Sequence, residues 1–353
     1  MNRSRRIRGP VVLVCAAALF MTGMTASAQA EGFSISDPKA TTLSGVSPFV
    51  LQVDAQVDRV FYGGGTSGWQ MAECAQSGAC TSTSLSFAFG MDYTSVTLSD
   101  GSNRAYFVSM TPDGTKEITS AAVNYGPGIP VLGPATPLGL KSAPQQRAWG
   151  VPDSVVLPDG RVRLYWVDVN ASAPDPSMGV FTPTKKQRTC IAKKISRPKL
   201  AKIAQGAKPT PAQVKVFALC GVDFGATAGR GASPEVIVSA TSTDARGTSF
   251  VKDPGFRFTG GYVDSDVIQA ENGNWIALVS TGPGAPPQRL YAATSPDGLV
   301  WKVLGQALTP AGVNVLDPTA YKIGPNSWRL YYAQSPKETP FENHSIIRAT
   351  LTR

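Results

Sequence analysis

Acidic side chains recur at one place in a repeated segment of this sequence. Each copy begins with an aspartate or a threonine, continues as an apolar strand, turns at a glycine and returns as a second strand. Because residues two apart on a strand share a face, acids seven or nine residues before the turn share one face. Carboxyl groups gathered this way could act as acid and base, since mutual repulsion raises the pKa of one of them. These positions are Asp92, Thr94, Asp153, Asp264, Asp266 and Asp317.

The same repeat predicts the elements that must hold these acids. Its turn glycines are Gly101, Gly160, Gly273 and Gly324. Short runs rich in Val, Tyr, Phe and Thr flank each turn, and an outer strand with an Asp-Gly turn follows, as in "LYAATSPDGLVWKVLG". Four-stranded sheets cannot bury both faces alone, but sheets arranged radially cover one another. We therefore predict an all-β fold, a five-bladed β-propeller of four-stranded antiparallel blades, whose first strands line a central channel.

The predicted blades cover residues 35–90, 91–150, 151–260, 261–311 and 312–353. The last blade has three clear strands, so we expect the N-terminal strand "GFSISDP" to complete it and close the ring. Blade three is overlong because an insert at about 169–232 separates its second and third strands. An insert of this length without strong secondary-structure signals is typical of a functional or mobile segment.

The first thirty residues have the pattern of a secretory signal peptide, and residues 31–353 are expected to form the propeller domain. Four arginines precede an apolar run that extends from Val11 to about Met24 and leads to Ala28-Gln29-Ala30. The run is too short to cross a bilayer comfortably, so we expect cleavage and no stable membrane span. The protein is therefore predicted to be secreted or periplasmic.

Four cysteines remain after the signal peptide, and an even number in an exported chain favours disulfides. The sequence allows three pairings, of which the local pairs are preferred: Cys74 with Cys80, and Cys190 with Cys220. A cysteine metal site is disfavoured because the chain has one histidine and no close Cys-x-x-Cys motif.

The formal net charge of +9 is concentrated in two stretches. Four arginines lie in the signal peptide, and nine basic residues lie between Lys185 and Lys208 without an acid. Elsewhere acidic residues outnumber basic ones. The basic run is typical of a solvated face or of a contact with an anionic surface. It lacks interleaved aromatic residues for base stacking, so we expect no nucleic-acid partner.

Two blade openings give the chain a family resemblance. "PDSVVLPDGRVRLYWVD" and "LDPTAYKIGPNSWRLYYAQS" resemble the five-bladed β-propeller glycoside hydrolases of the arabinanase, β-xylosidase and invertase-like group. "TSPDGLVWK" is similar to the outer turn of that group and, more loosely, to the Asp-box turn of sialidases, although no sialidase arginine triad is recognisable. The resemblance covers the architecture of the mature chain.

This resemblance implies carboxyl chemistry at the channel mouth. In the group an Asp base, a tuning Asp and a Glu acid cleave the glycosidic bond, and one carboxyl must be protonated while another is ionised. The implied catalytic candidates here are Asp92, Asp153, Asp264, Asp266 and Asp317. The chain departs from the group because no first strand carries the Glu. Glu235 is expected to lie on a third strand, away from the channel, so either an Asp such as Asp264 is the acid or hydrolysis of this type is absent.

Three further residues are candidates for substrate binding. Trp149 lies just before Asp153 and could stack on a sugar ring, and Arg147 and Tyr262 could approach the channel mouth. His344 is expected at the surface or in packing. Structural alternatives remain for the acids, since an aspartate at a strand start can cap a turn, and several together could bind a structural calcium ion.

The sequence thus leaves two functions open. One is a glycoside hydrolase-like monomer that acts on a glycan without a cofactor. The other is a non-catalytic extracellular propeller that keeps the fold and binds or interacts, and the missing Glu favours it. The basic insert adds the hypothesis of adhesion to an anionic surface, which salt would weaken.

Overall fold

The computed structural model describes eleven stretches of the chain, and the predicted signal peptide and Arg147 lie outside them. The helices among the described residues include none long and apolar enough to cross a membrane. The stretches are residues 32–64, 68–84, 90–126, 128–143, 146, 149–169, 185–204, 210–220, 235–283, 286–340 and 342–353.

The described strands form five antiparallel sheets arranged as the blades of a propeller, which confirms the predicted fold class. Blade one contains β2 (Val46–Gln52), β3 (Val57–Gly63), β4 (Trp69–Ala75) and β5 (Cys80–Ser84). Blade two contains β6 (Met91–Thr97), β7 (Asn103–Met110), β8 (Lys116–Asn124) and β10 (Thr136–Lys141), with the short β9 (Val131–Leu132) also paired to β8. Blade three contains β11 (Gly150–Val156), β12 (Val162–Val169), β13 (Glu235–Ser242) and β14 (Phe250–Lys252).

The ring is closed by pairing the first strand of the chain with the last. Blade four contains β15 (Tyr262–Glu271), β16 (Asn274–Thr281), β17 (Leu290–Ser295) and β18 (Lys302–Ala307). Blade five contains β19 (Val313–Gly324), β20 (Ser327–Pro336), β21 (Ser345–Thr352) and, at its outer edge, β1 (Ser34–Ser44). The N-terminal strand thus completes blade five, as the closure hypothesis expects, and blade one begins at Val46.

The hydrophobic core is divided among the interfaces between neighbouring blades. Trp328 and Leu330 of blade five pack against Leu278 of blade four, and four comparable clusters lie at the other interfaces. Each blade therefore buries both faces only because it has a neighbour on each side. The first strands contact one another in cyclic order, which places the start of each blade beside the channel.

The described residues of the blade-three insert contain three short helices where the sequence indicates no strong element. They are α1 (Lys185–Ala192), α2 (Arg197–Ala204) and α3 (Pro211–Leu219). Ile191 and Ile195 form a small cluster with Cys220, so the insert has apolar contacts of its own. These contacts and the disulfide stabilise helices that are otherwise too short to be stable in water.

Both preferred disulfide pairings are confirmed. Cys74 bonds Cys80 across the β4–β5 turn of blade one, and Cys190 bonds Cys220, which joins α1 to the end of α3.

Candidate functional site

One position in the first strand of every blade has an unusual backbone. Pairing with the second strand is interrupted there. The residue at the interruption, called the bulge residue below, has a φ of about 50° in each blade. Aspartate tolerates this left-handed conformation better than most residues do. The five bulge residues are Ser47, Asp92, Val151, Asp264 and Asp317.

This alignment corrects the register that the turn glycines predict for blade five. Counting from the glycine groups Asp317 with Asp153 and Asp266, whereas the backbone groups it with Asp264. The reason is the β19–β20 hairpin, in which Gly324 still pairs with Ser327, whereas Gly273 of blade four lies in the turn itself. The two glycines are therefore not equivalent.

The bulge residues bond one blade to the next around the channel. Asp317 Oδ2 accepts a hydrogen bond from the Ser47 amide at 2.8 Å, and Asp92 Oδ2 accepts one from the Val151 amide at 3.2 Å. Ser47 Oγ donates to Asp92 Oδ1 at 3.3 Å. The Asp264 carboxyl accepts from the backbone and the side chain of Asp317, so these two acids share a proton.

A second ring lies two residues farther along the first strands. Asp153 Oδ2 accepts from the Val267 amide, and Asp266 Oδ2 from the Ala320 amide, each at 2.7 Å and each in the following blade. Threonines hold the equivalent places in blades two and five, where Thr94 bonds Ser154 and Thr319 accepts from Val50. Asp153 and Asp266 therefore bond one blade to the next, and the uncharged side chains of Thr94 and Thr319 do the same in blades two and five.

Two cavities meet at the bulge acids. The inner one, bounded by both rings, has a volume of about 40 Å³ and is too small for a sugar ring. The outer one, called the mouth cavity below, measures about 360 Å³, which is within the usual range for small-molecule sites. Asp92, Asp264 and Asp317 line both cavities, whereas Asp153 and Asp266 line only the inner one.

The three bulge acids differ in what opposes or favours their charge. Burial raises the pKa of Asp264 to about 6, although the Ser280 hydroxyl and Asp317 bond its charged form. Burial, followed by the charge of Asp264, raises the pKa of Asp317 well above its ordinary value. Burial also raises the pKa of Asp92, but the Val151 amide, the Ser47 hydroxyl and the Lys116 charge oppose it. Asp92 is thus suited to act as a carboxylate, and Asp317 to stay protonated.

The expectation that Glu235 lies away from the channel is wrong. Glu235 lines the mouth cavity together with the bulge acids. It is the first residue of β13, and that end of the third strand lies beside the end of β12, where Val169 is its pairing partner. A third strand can therefore reach the mouth with its first residue.

Other residues of the mouth cavity share this placement. Lys116 begins the third strand of blade two, and Gln288 lies just before the third strand of blade four. Sequence reasoning missed both because it followed only the first strands; the signal that would have found them is the start of the third strand in blades two, three and four. His344 also lines the cavity, half-buried, with its Nε2 at 3.2 Å from the Pro340 carbonyl oxygen.

The predicted substrate-binding residues have different locations. Trp149 lines the mouth cavity but is 4% exposed and packs against Trp166. Tyr262 packs edge-on against Phe258 and Tyr291 in the core between blades three and four, and is not part of either cavity wall. Among the described residues, no cluster of His, Cys, Asp and Glu has the arrangement of a metal site.

Comparison with known proteins identifies the fold. No family model matches the sequence, and no curated protein matches it. Among solved structures, an endo-arabinase from Bacteroides thetaiotaomicron has a TM-score of 0.52 at 12% identity, over 88% of this chain and 96% of that one. A levansucrase mutant from B. subtilis has a TM-score of 0.51 at 9% identity, over 92% and 85%.

A third similar structure contains a sugar. The GH43_1 enzyme from Xanthomonas citri complexed with xylotriose has a TM-score of 0.50 at 14% identity, over 89% of this chain and 88% of that one. The chain has the five-bladed propeller fold of these proteins. Identities this low establish the shared architecture, and the activity has to be argued from the site itself.

Proposed function

We propose that the protein hydrolyses glycosidic bonds in the mouth cavity. One observation carries the proposal: three carboxyl groups from three blades meet at one end of a cavity of about 360 Å³, in surroundings that favour different protonation states. Glycoside hydrolysis needs both an acid and a base on opposite sides of the scissile bond. The fold shared with the arabinase and the GH43_1 enzyme supports the same chemistry.

Asp92 is the proposed base. It is partly exposed, whereas Asp264 and Asp317 are 8% and 7% exposed, so water and substrate reach it most readily of the three. Lys116 and two hydrogen-bond donors favour its charged form. Asp264 and Asp317 share a proton and hold negative charge beside the reacting carbon, where positive charge develops in the transition state.

The proposed substrate is an oligosaccharide or polysaccharide outside the cytoplasm. Xylotriose is bound by one protein of this fold and another is an endo-arabinase, so pentose glycans are the first to test. Two disulfides and the signal-peptide pattern support a secreted or periplasmic protein. We propose that it acts as a monomer, that it needs no cofactor, and that the disulfides stabilise it in that environment.

The test is turnover of defined glycans by the wild type and by Asp92→Asn. Arabinan, xylotriose, levan and nitrophenyl pentosides are incubated with each protein, and released sugar is measured. We expect Asp92→Asn to lose roughly 10²–10⁴-fold in kcat/KM, the usual contribution of a positioned general base.

Asp37→Asn is the matched control, because Asp37 also has a positive φ but is exposed on β1, outside the cavity. We expect wild-type turnover from it. Equal losses in both variants would show a folding effect, and full activity in Asp92→Asn would remove Asp92 from the mechanism.

A non-catalytic binding protein is the second candidate. It is favoured by the hydrogen bonds of the bulge acids to neighbouring blades, which give these acids a structural role without chemistry. This candidate predicts that xylotriose or arabinan binds without turnover, and calorimetry with the wild type distinguishes the two functions.

A further inference from the structure

The mouth cavity contains one carboxyl group that no blade contact explains. Glu235 is 9% exposed, and its Oε2 is buried without a hydrogen-bond partner in the part of the chain that the structure describes. Buried carboxyl oxygens in folded proteins are almost always bonded, because leaving one unpaired costs about 1–3 kcal/mol or more. Glu235 also lines a ligand-sized cavity, so a small shift of its side chain would bring the unpaired oxygen to a bound molecule.

We propose that Glu235 is the proton donor to the leaving group, a catalytic residue on a third strand rather than on a first strand. This inference rests on the proposed hydrolysis and names the acid that it needs. Glu235 Oε2 differs in this respect from the carboxyl groups of the bulge acids, which accept hydrogen bonds from neighbouring backbone amides or hydroxyls.

The bulge acids lack a proton that a substrate could take. The acid proton of Asp317 is bound to Asp264, and Asp317 Oδ2 accepts from the Ser47 amide. Asp92 receives donors on both oxygens, which favours its ionised form. Donation from Asp317 would leave two adjacent buried carboxylates, and their repulsion opposes that state.

The surroundings of Glu235 hold its proton at neutral pH better than those of an exposed glutamate. Burial raises its pKa, and the charge of Asp264 raises it further. After donation the carboxylate lies in the wall of a cavity that Lys116 and Gln288 also line, so the same cavity contains a cation and an amide. The surroundings of Glu235 thus favour its protonated form before the reaction and tolerate its ionised form afterwards.

The reaction step is balanced with these two groups. The Glu235 carboxyl transfers its proton to the glycosidic oxygen as the bond from that oxygen to the sugar C1 breaks. Water attacks C1 and gives a proton to the Asp92 carboxylate, so the products are the free sugar and the leaving alcohol. A proton then passes from Asp92 to Glu235 through solvent, which restores both groups.

The experiment uses leaving groups that differ in their need for a proton. Phenyl and 2,4-dinitrophenyl glycosides of the sugar found to be turned over are compared with the wild type, Glu235→Gln and Glu235→Asp. For Glu235→Gln we expect a loss of about 10²–10⁴-fold on the phenyl glycoside and little loss on the dinitrophenyl glycoside, whose leaving group departs unprotonated. We also expect the fall of kcat/KM at high pH to disappear, and Glu235→Asp to restore part of the activity.

Glu271→Gln is the matched control, because Glu271 is an exposed residue at the end of β15, bound to Lys322. Wild-type activity is expected from it. Two results for Glu235→Gln would overturn the assignment of Glu235: equal losses on both glycosides, or a fall of kcat/KM at high pH that is still present. In either case, turnover by the wild type would still support the proposed hydrolysis. A wild type that hydrolyses neither glycoside nor polysaccharide would overturn both.

Discussion

Val151 is the bulge residue that carries neither a carboxyl nor a hydroxyl group. It has a φ of 50°, a conformation that costs a β-branched residue about 1–3 kcal/mol. The strained backbone holds the amide that donates to Asp92 Oδ2. The strained conformation of Val151 thus helps to position the proposed base, Asp92, which explains why valine keeps a conformation that suits it poorly.

Replacing Val151 by asparagine should relieve that strain, because asparagine adopts positive φ more readily. We expect Val151→Asn to raise the free energy of unfolding by about 1 kcal/mol in chemical denaturation, since the side chain is only partly buried. Val156→Asn in the same strand is the control and should lower it, because Val156 packs against the apolar core between blades two and three. Equal destabilisation by both variants would contradict the strain argument.

At the scale of the elements, blades one and five meet around a buried aspartate. Asp58 on β3 accepts hydrogen bonds from the hydroxyls of Tyr321 and Tyr331 on blade five. Its Oδ2 also lies 3.7 Å from Arg329 Nε and 3.6 Å from Arg348 Nε. This one carboxylate therefore balances two buried cations at the interface where the ring closes.

Neutralising that aspartate should weaken ring closure. Asp58→Asn leaves two buried guanidinium groups without their counter-charge, and removing one partner of a buried ion pair costs about 3–5 kcal/mol. We expect a loss of that size in the free energy of unfolding. Glu271→Gln is the control, because the Glu271 and Lys322 side chains that it separates are 57% and 43% exposed and such pairs contribute about 1 kcal/mol or less. Similar losses from the two variants would show that the buried carboxylate has no special role.

The elements also show what the sequence could and could not predict. The blades and the closing strand were predictable because a repeated strand–turn–strand pattern leaves each sheet without cover until neighbours supply it. The grouping of Asp317 with Asp264 was not predictable, because the two hairpins differ in shape and their glycines are not equivalent. The location of Glu235 was missed because only the first strands were expected to reach the channel, whereas the first residue of a third strand also lines the mouth cavity.

At the scale of the whole molecule, the two rings gather buried carboxyl groups around one axis. Burial raises the pKa of Asp153 to about 7 and that of Asp264 to about 6, and it raises those of Asp266 and Asp317 well above their ordinary value. In the unfolded chain these groups titrate near 3.8. Between about pH 4 and pH 7 the folded protein therefore binds more protons than the unfolded chain, and its stability falls as the pH rises.

This fall should be measurable in thermal unfolding. Each carboxyl that stays protonated only in the folded state contributes a slope of about 1.4 kcal/mol per pH unit. His344, whose pKa burial lowers, works in the opposite direction, but it is a single group against several. We expect the unfolding midpoint to decrease from about pH 5 to about pH 7.5. Asp153→Asn should flatten the decrease, whatever its midpoint at low pH, because one titrating group is gone. A midpoint that rises over this interval, or an unchanged slope in the variant, would show that the rings are hydrated and ionised.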